Sequence, residues 1–199
     1  LQHGGAAVTG GKAMTDVKAL IEDSPVIAAV KDEEGLAHCL RTDVKAVFIL
    51  FGTVCSIPKI VERVKQSGRA ALVHLDLVNG LSAREASVDF IREYTRADGI
   101  ISTRQPLIAR AAELGFCTVQ RYFVIDSMAL GNVLRRHDVR PDFIEILPGV
   151  MPKIIARICR ETQIPVIAGG LISDKEDILA ALSAGARAIS TTNPAVWEM

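Results

Sequence analysis

Large rings, net charge, long apolar runs and clustered cysteines are all scarce in this chain, and each shortage removes a class of protein. Phe, Tyr and Trp make up 5% of the 199 residues, while 49% are hydrophobic. The interior must be built from Ala, Val, Ile and Leu, as parallel α/β architectures are, and the composition argues against disorder and against an all-β sandwich. Lys plus Arg number 23 and so do Asp plus Glu, which removes any strong global attraction to nucleic acid or to an anionic membrane. The longest apolar run, near Ala46 to Phe51, is far too short to span a bilayer, and no charged-then-apolar signal opens the chain. A cytosolic location is expected. Cys39, Cys55, Cys117 and Cys159 form no C-x-x-C and no Cys/His cluster, so they read as buried free thiols rather than as metal ligands or disulfides.

What remains is a rhythm. After a Gly/Ala-rich arm and a short helix near Thr15 to Glu22, which together make residues 1–24, one domain is expected over 25–199. Within it, short apolar runs alternate with amphipathic segments of about three turns. The runs are PVIAAV, AVFILF, AALVHLDL, GIIST, FCTVQRYFVI, DFIEIL, PVIAG and AISTT, and the segments between them include IPKIVERVKQSG, AREASVDFIREY, PLIARAAELG, PKIIARICRET and KEDILAALSAG. Gly68, Gly115 and Gly185 stand where helix ends want glycine. Such alternation means right-handed βαβ units and a parallel sheet.

The sheet could be open and doubly wound, or closed as a compact TIM-like (β/α)8 barrel with its last helix cut short at Trp197. Strand parity favours the barrel, because one parity carries polar residues late in the strands. It groups Leu72, His74 and Asp76 on one face, and sets Ser102 against Ile101, Thr118 and Gln120 against Cys117 and Val119, Glu145 against Ile144 and Ile146, and Ser190 and Thr192 against Ile189. These polar residues are expected to line the upper interior of the barrel.

In that fold ligands sit at the C-terminal strand ends, and phosphates often on the loops after the seventh and eighth strands. There the sequence reads PVIAGGLISDKEDI and AISTTN. Gly169, Gly170, Thr191, Thr192 and Asn193 offer bare N–H groups, hydroxyls and a helix N-terminus, the parts of an anion site. A lone Gly-Gly would read as a tight turn; two adjacent loops with complementary donors favour phosphate. His74 and Asp76 either bind a hydroxylated ligand or form a buried hydrogen-bonded pair. Glu145 lies within an apolar strand and calls for a site role or an ion pair with Lys31 or a nearby Arg. Lys31, Arg104 and Arg121 are the cations nearest the mouth, although strict alternation sets Arg121 opposite Gln120, so one of these two should point away. RRHDVR, Arg135 to Arg140, is basic, but such residues at a helix end more often answer the helix dipole. No catalytic triad order, metal spacing or dinucleotide fingerprint has its required context.

Taken in order and spacing, VHLDLVNGL, DGIISTR, VQRYFVIDS, PDFIEILPGVMP, PVIAGGLI and ISTTNPAVW resemble the glycerol-3-phosphate-responsive antiterminators of bacterial glycerol uptake operons. The resemblance runs from about Pro25 to Trp197. It implies a compact barrel that binds glycerol 3-phosphate, needs no cofactor and no catalysis, and acts on leader mRNA so that transcription passes a terminator. The strand-end motifs then fall on His74 and Asp76, Ser102 to Arg104, Gln120 and Arg121, Glu145, Gly169 and Gly170, and Thr191 to Asn193. FGTVC at Phe51 to Cys55 matches no fixed pattern, STTN stands where relatives often show TTSN, and the arm before Met14 has no counterpart. The alternative is a barrel enzyme acting on a small sugar phosphate or phosphodiester, with His74, Asp76 and Glu145 as acid/base groups. A symmetric homodimer is compatible with the sequence, which shows no heptad or apolar stripe to argue for it.

Overall fold

The computed structural model describes residues 16–135 and 139–199. The N-terminal arm and the middle of RRHDVR lie outside the described residues. Eight parallel strands close on themselves in sequential order: β1 Val26–Val30, β2 Ala46–Ile49, β3 Ala70–His74, β4 Gly99–Ser102, β5 Cys117–Phe123, β6 Phe143–Leu147, β7 Val166–Gly169 and β8 Ala188–Thr191. The helices are α1 Val17–Asp23, α2 Glu33–Cys39, α3 Ile57–Gln66, α4 Glu85–Tyr94, α5 Gln105–Glu113, α6 Ser127–Leu134, α7 Pro152–Thr162, α8 Lys175–Ser183 and α9 Pro194–Trp197. The fold is the expected TIM-like (β/α)8 barrel with a truncated last helix. Among the described residues no helix is long and apolar enough to cross a membrane.

Period-2 alternation divides the strands into two apolar layers. Ile27, Ala29, Ala46, Phe48, Ala70, Leu72, Ile101, Val119, Phe143, Ile167 and Ala188 pack as one cluster, which fills the barrel interior. The opposite parity, such as Val47, Val73, Ile100, Ile144 and Ile189, packs against the helices. Val17 and Ile21 of α1 join the interior cluster, so this helix plugs the N-terminal end. Lys18 pairs there with Asp142 at 2.6 Å. At the last helix position four residues stand in for a full helix. Trp197 donates its indole N–H to the Thr191 carbonyl at 2.8 Å and meets His38 of α2 edge-on.

Parity corrects part of the sequence reading. Ile101 and Val119 belong to the interior cluster, which turns Ser102, Thr118 and Gln120 outward and Arg121 inward. The outward polar groups are buried but satisfied. Thr118 donates its N–H and hydroxyl to Asp142, and Gln120 donates to the Ser102 carbonyl at 3.3 Å. A second correction concerns Asp76: β3 ends at His74 and a 3-10 turn, Leu75–Leu77, follows, so Asp76 shares no strand face with His74. A third concerns Cys55, which is exposed, whereas Cys39 is buried and Cys117 and Cys159 are half-buried.

Candidate functional site

Toward the C-terminal strand ends the interior changes from aliphatic to polar. His74, Arg121, Glu145, Gly169 and Ser190 continue the inward parity of β3, β5, β6, β7 and β8. Arg121 and Glu145 stand side by side in the β5–β6 register, with Arg121 Nε donating to Glu145 Oε2 at 2.6 Å and side chains only 7% and 0% exposed. Ser190 donates its hydroxyl to Glu145 Oε1 at 2.5 Å. Both carboxylate oxygens are therefore engaged, which is the condition for tolerating a buried charge.

Gly169 explains itself against this pair. A Cβ there would lie 2.6 Å from both Glu145 Oε1 and Ser190 Oγ, so only glycine leaves room for the carboxylate. Gly170 has a different reason, a φ of 75° that turns the chain off β7. Behind it Gly149, after the cis Leu147–Pro148 bond, donates its N–H to the Gly170 carbonyl at 3.0 Å and ties the β6–α7 loop to the β7–α8 loop.

A cavity of about 370 Å³ opens beside the pair, lined by Ala29, Leu50, Arg121, Glu145, Leu147, residues 170–173 and residues 190–193. The N–H groups of Gly170, Leu171, Ile172 and Thr192 make no hydrogen bond among the described residues. Thr191 and Asn193 are committed to architecture instead. The Thr191 hydroxyl donates to the Ile172 carbonyl at 2.8 Å. Asn193 donates through Nδ2 to the Ser173 carbonyl and accepts the Ala195 N–H, which caps α9 and clasps the two loops together. Thr192 is exposed at the rim with no such duty.

The remaining expected residues lie around this cavity rather than on it. Asp76 accepts from the Ser102 hydroxyl at 2.8 Å, the Thr103 N–H at 2.7 Å and the Thr103 hydroxyl at 2.8 Å. Burial opposes its ionisation, but these bonds hold the carboxyl below its usual range. Arg104 stands off at 3.9 Å. His74 is buried, and its Nδ1 has no partner among the described residues; burial first, then the Arg121 charge, push its pKa down to about 4 against the pull of Asp76. Its imidazole is neutral at pH 7. Lys31 is exposed just beyond β1 and makes no ion pair among the described residues, so the partner of Glu145 is Arg121. Ser190 was legible as a polar strand end, but its bond to Glu145 was not. The backbone of Leu171 and Ile172 carried no side-chain signal.

A closed parallel barrel with a donor-rich mouth on the loops after its seventh and eighth strands places the chain among the TIM barrels that hold their sites at that face. Within that class it belongs to the glycerol-3-phosphate responsive antiterminator family, whose sequence model matches residues 26–197. An uncharacterized protein of Escherichia coli K12, YgcP, is 40% identical over 181 residues, covering 90% of this chain and 95% of its own. The crystal structure of the glycerol uptake operon antiterminator regulatory protein from Listeria monocytogenes superposes with a TM-score of 0.85 at 34% identity, over 88% of this chain and 96% of that one. A glycerol uptake operon antiterminator-related protein from Thermotoga maritima gives 0.76 at 29% identity, over 87% and 98%. Barrel enzymes of 13 to 17% identity also superpose, and they share the fold alone.

Proposed function

We propose that the chain senses glycerol 3-phosphate and, when loaded, acts on the leader mRNA of glycerol utilisation genes to let transcription pass a terminator. The observation that carries this reading is the convergence, on one cavity, of unpaired N–H donors from two neighbouring loops with the Arg121 guanidinium. Amide donors and a fixed cation suit a phosphate, while the second lone pairs of Glu145 and the Thr192 hydroxyl suit the glycerol oxygens. Family membership supports the same ligand class. Gly169 and Gly170 then shape the phosphate loop, Thr191 and Asn193 hold it, and Lys31, Arg104 and Asp76 form the outer rim. Action on nascent RNA would place the protein in the cytoplasm.

A ligand shifts an equilibrium only by its differential affinity for the two states, so loaded and empty protein must differ in their grip on RNA. Calorimetry with glycerol 3-phosphate, glycerol and inorganic phosphate tests the first half. Tight binding of the ester over both fragments is expected, and equal weak heats for ester and glycerol would remove the phosphate site. Sensing rather than turnover is favoured by the family match, which is to responsive antiterminators. Hydrolysis or isomerisation of triose phosphates that is abolished by His74→Ala would reverse that preference.

A further inference from the structure

The chain is neutral overall, yet its charges are not evenly answered. Several cations elsewhere on the barrel meet an acid: Arg63 pairs with Glu33, Lys65 with Asp98, Arg96 with Glu62, and Arg110 with Asp89 and with Glu113 of its own helix, while Lys59, Arg92 and Lys175 stand singly on three different helices with no ion pair among the described residues. The outer face of α7 differs in grouping its cations. Its exposed Lys153, Arg157 and Arg160 follow one another at spacings of four and three, which sets them on a single stripe about 10 Å long. The one acid of the helix, Glu161, is spent on Arg157 at 2.8 Å. Lys153 and Arg160 make no ion pair among the described residues.

Other elements add cations to the same end. Arg187, exposed and without an ion pair, enters from the start of β8. It acts electrostatically on the Cys159 thiol of α7, and a Cβ on nearby Gly185 would sit 3.3 Å from Cys159 Cβ. Arg140 donates to the carbonyl of Gln163 just past α7. The flanking helix α6 carries no charged residue, and the acids of α8 lie in its first turn at the mouth end, the end of Lys153 and away from Arg160 and Arg187. Arg140 answers the carbonyl end of α7 and has a structural duty. The side chains of Arg160 and Arg187 make no such bond among the described residues.

We infer that the α7 face bearing Lys153, Arg157, Arg160 and Arg187 is the surface that grips the phosphate backbone of an RNA duplex, an assignment that rests on the RNA-acting reading above and names its site. No aromatic residue occurs on α7 or α6, so the face offers no platform for unstacked bases and suits a stem rather than a single strand. It is separate from the ligand cavity, none of whose lining residues lies on α7, but is linked to it through the adjoining loop and strand. The loop before α7 is bonded to Gly170 through Gly149, and the strand after it ends at Gly169.

The test is fluorescence anisotropy of the full chain with a labelled RNA duplex of about 20 base pairs, with and without glycerol 3-phosphate, between about 50 and 200 mM salt. Arg160→Glu with Arg187→Glu should weaken binding at least about tenfold and flatten the dependence of log Kd on log salt by about 2. Lys45→Glu with Lys59→Glu makes the same change in net charge on the far side of the barrel and should stay within about twofold. Equal loss in both variants, no loss in the first, or no binding of the duplex by the unaltered chain overturns the assignment. Calorimetry with glycerol 3-phosphate on the same variants separates the two ideas. If the ester fails to bind while the charge reversals still abolish RNA binding, the sensor reading falls and the surface stands.

Discussion

Arg121 and Glu145 occupy paired positions on adjacent strands and meet at 2.6 Å inside the barrel, almost without solvent. Neither charge is tolerable there alone. Arg121→Met and Glu145→Leu should therefore each cost about 3 to 5 kcal/mol, because each strands a buried charge. The double variant Arg121→Met with Glu145→Leu, which removes both charges, should recover much of that loss. Urea denaturation of both singles and the double checks this; additive losses would mean that the two side chains are not coupled. Ligand binding should be lost wherever Arg121 is replaced, since its guanidinium lines the cavity, and weakened where Glu145 alone is replaced, since its carboxylate lines it too.

The two adjacent glycines should respond differently to the same substitution. At Gly169 a methyl group would collide with Glu145 Oε1 and Ser190 Oγ at 2.6 Å, forcing the buried pair apart at a cost of about 1 to 3 kcal/mol. At Gly170 the methyl would meet only Leu147 side-chain atoms, from 3.3 Å outward, leaving the left-handed backbone as the main penalty, about 1 to 2 kcal/mol. Gly169→Ala should thus weaken glycerol 3-phosphate binding by disturbing the carboxylate, and thermal melts paired with calorimetry on each variant separate the two effects. If Gly170→Ala is the more damaging in both readouts, the reason given for Gly169 is wrong.

The strand and helix rhythm was legible because parallel strands are short, apolar and β-branched, and because Gly68, Gly115 and Gly185 do adopt positive φ at helix ends. The inward face of β4 and β5 was not. Polarity suggested that Ser102, Thr118 and Gln120 look into the barrel, yet their hydrogen bonds lie with Asp76, Asp142 and a neighbouring carbonyl. Arg121 looks inward because Glu145, distant in sequence, neutralises it. Alternation reports which residues share a face, while the choice of face depends on partners that only the closed barrel supplies. The same limit explains Gly169, whose reason is a carboxylate contributed by another strand.

Thiol reactivity should single out one cysteine. Cys55 is exposed on the β2–α3 loop. Burial pushes the Cys39 thiol up to about 11 and raises the Cys117 and Cys159 thiols as well, so few thiolates form there at neutral pH. Titration of the native chain with an aromatic disulfide at pH 7.5 to 8, within about a unit of the ordinary thiol pKa, should give one fast equivalent. Cys55→Ser should abolish it. A second fast thiol in that variant would contradict the burial of the other three.

His74 gives the barrel a pH dependence whose direction is fixed by its surroundings. Its folded pKa is pushed down to about 4 from 6.5, so between these values the unfolded chain binds the proton that the native chain refuses. Stability from this group is fully present above about 6.5 and is lost as pH falls toward 4, by an amount on the order of 3 kcal/mol. Asp76 faces His74 and has a lowered pKa of its own, but its contribution is lost only as pH falls below the ordinary carboxylate range, beneath the histidine window. Arg121 is the other charge that acts on the imidazole. Urea midpoints measured from pH 7.5 down to 4.5 should fall across this span in the unaltered chain and fall less in His74→Asn, which has no proton to gain. Parallel curves for the two proteins would mean that another group carries the dependence.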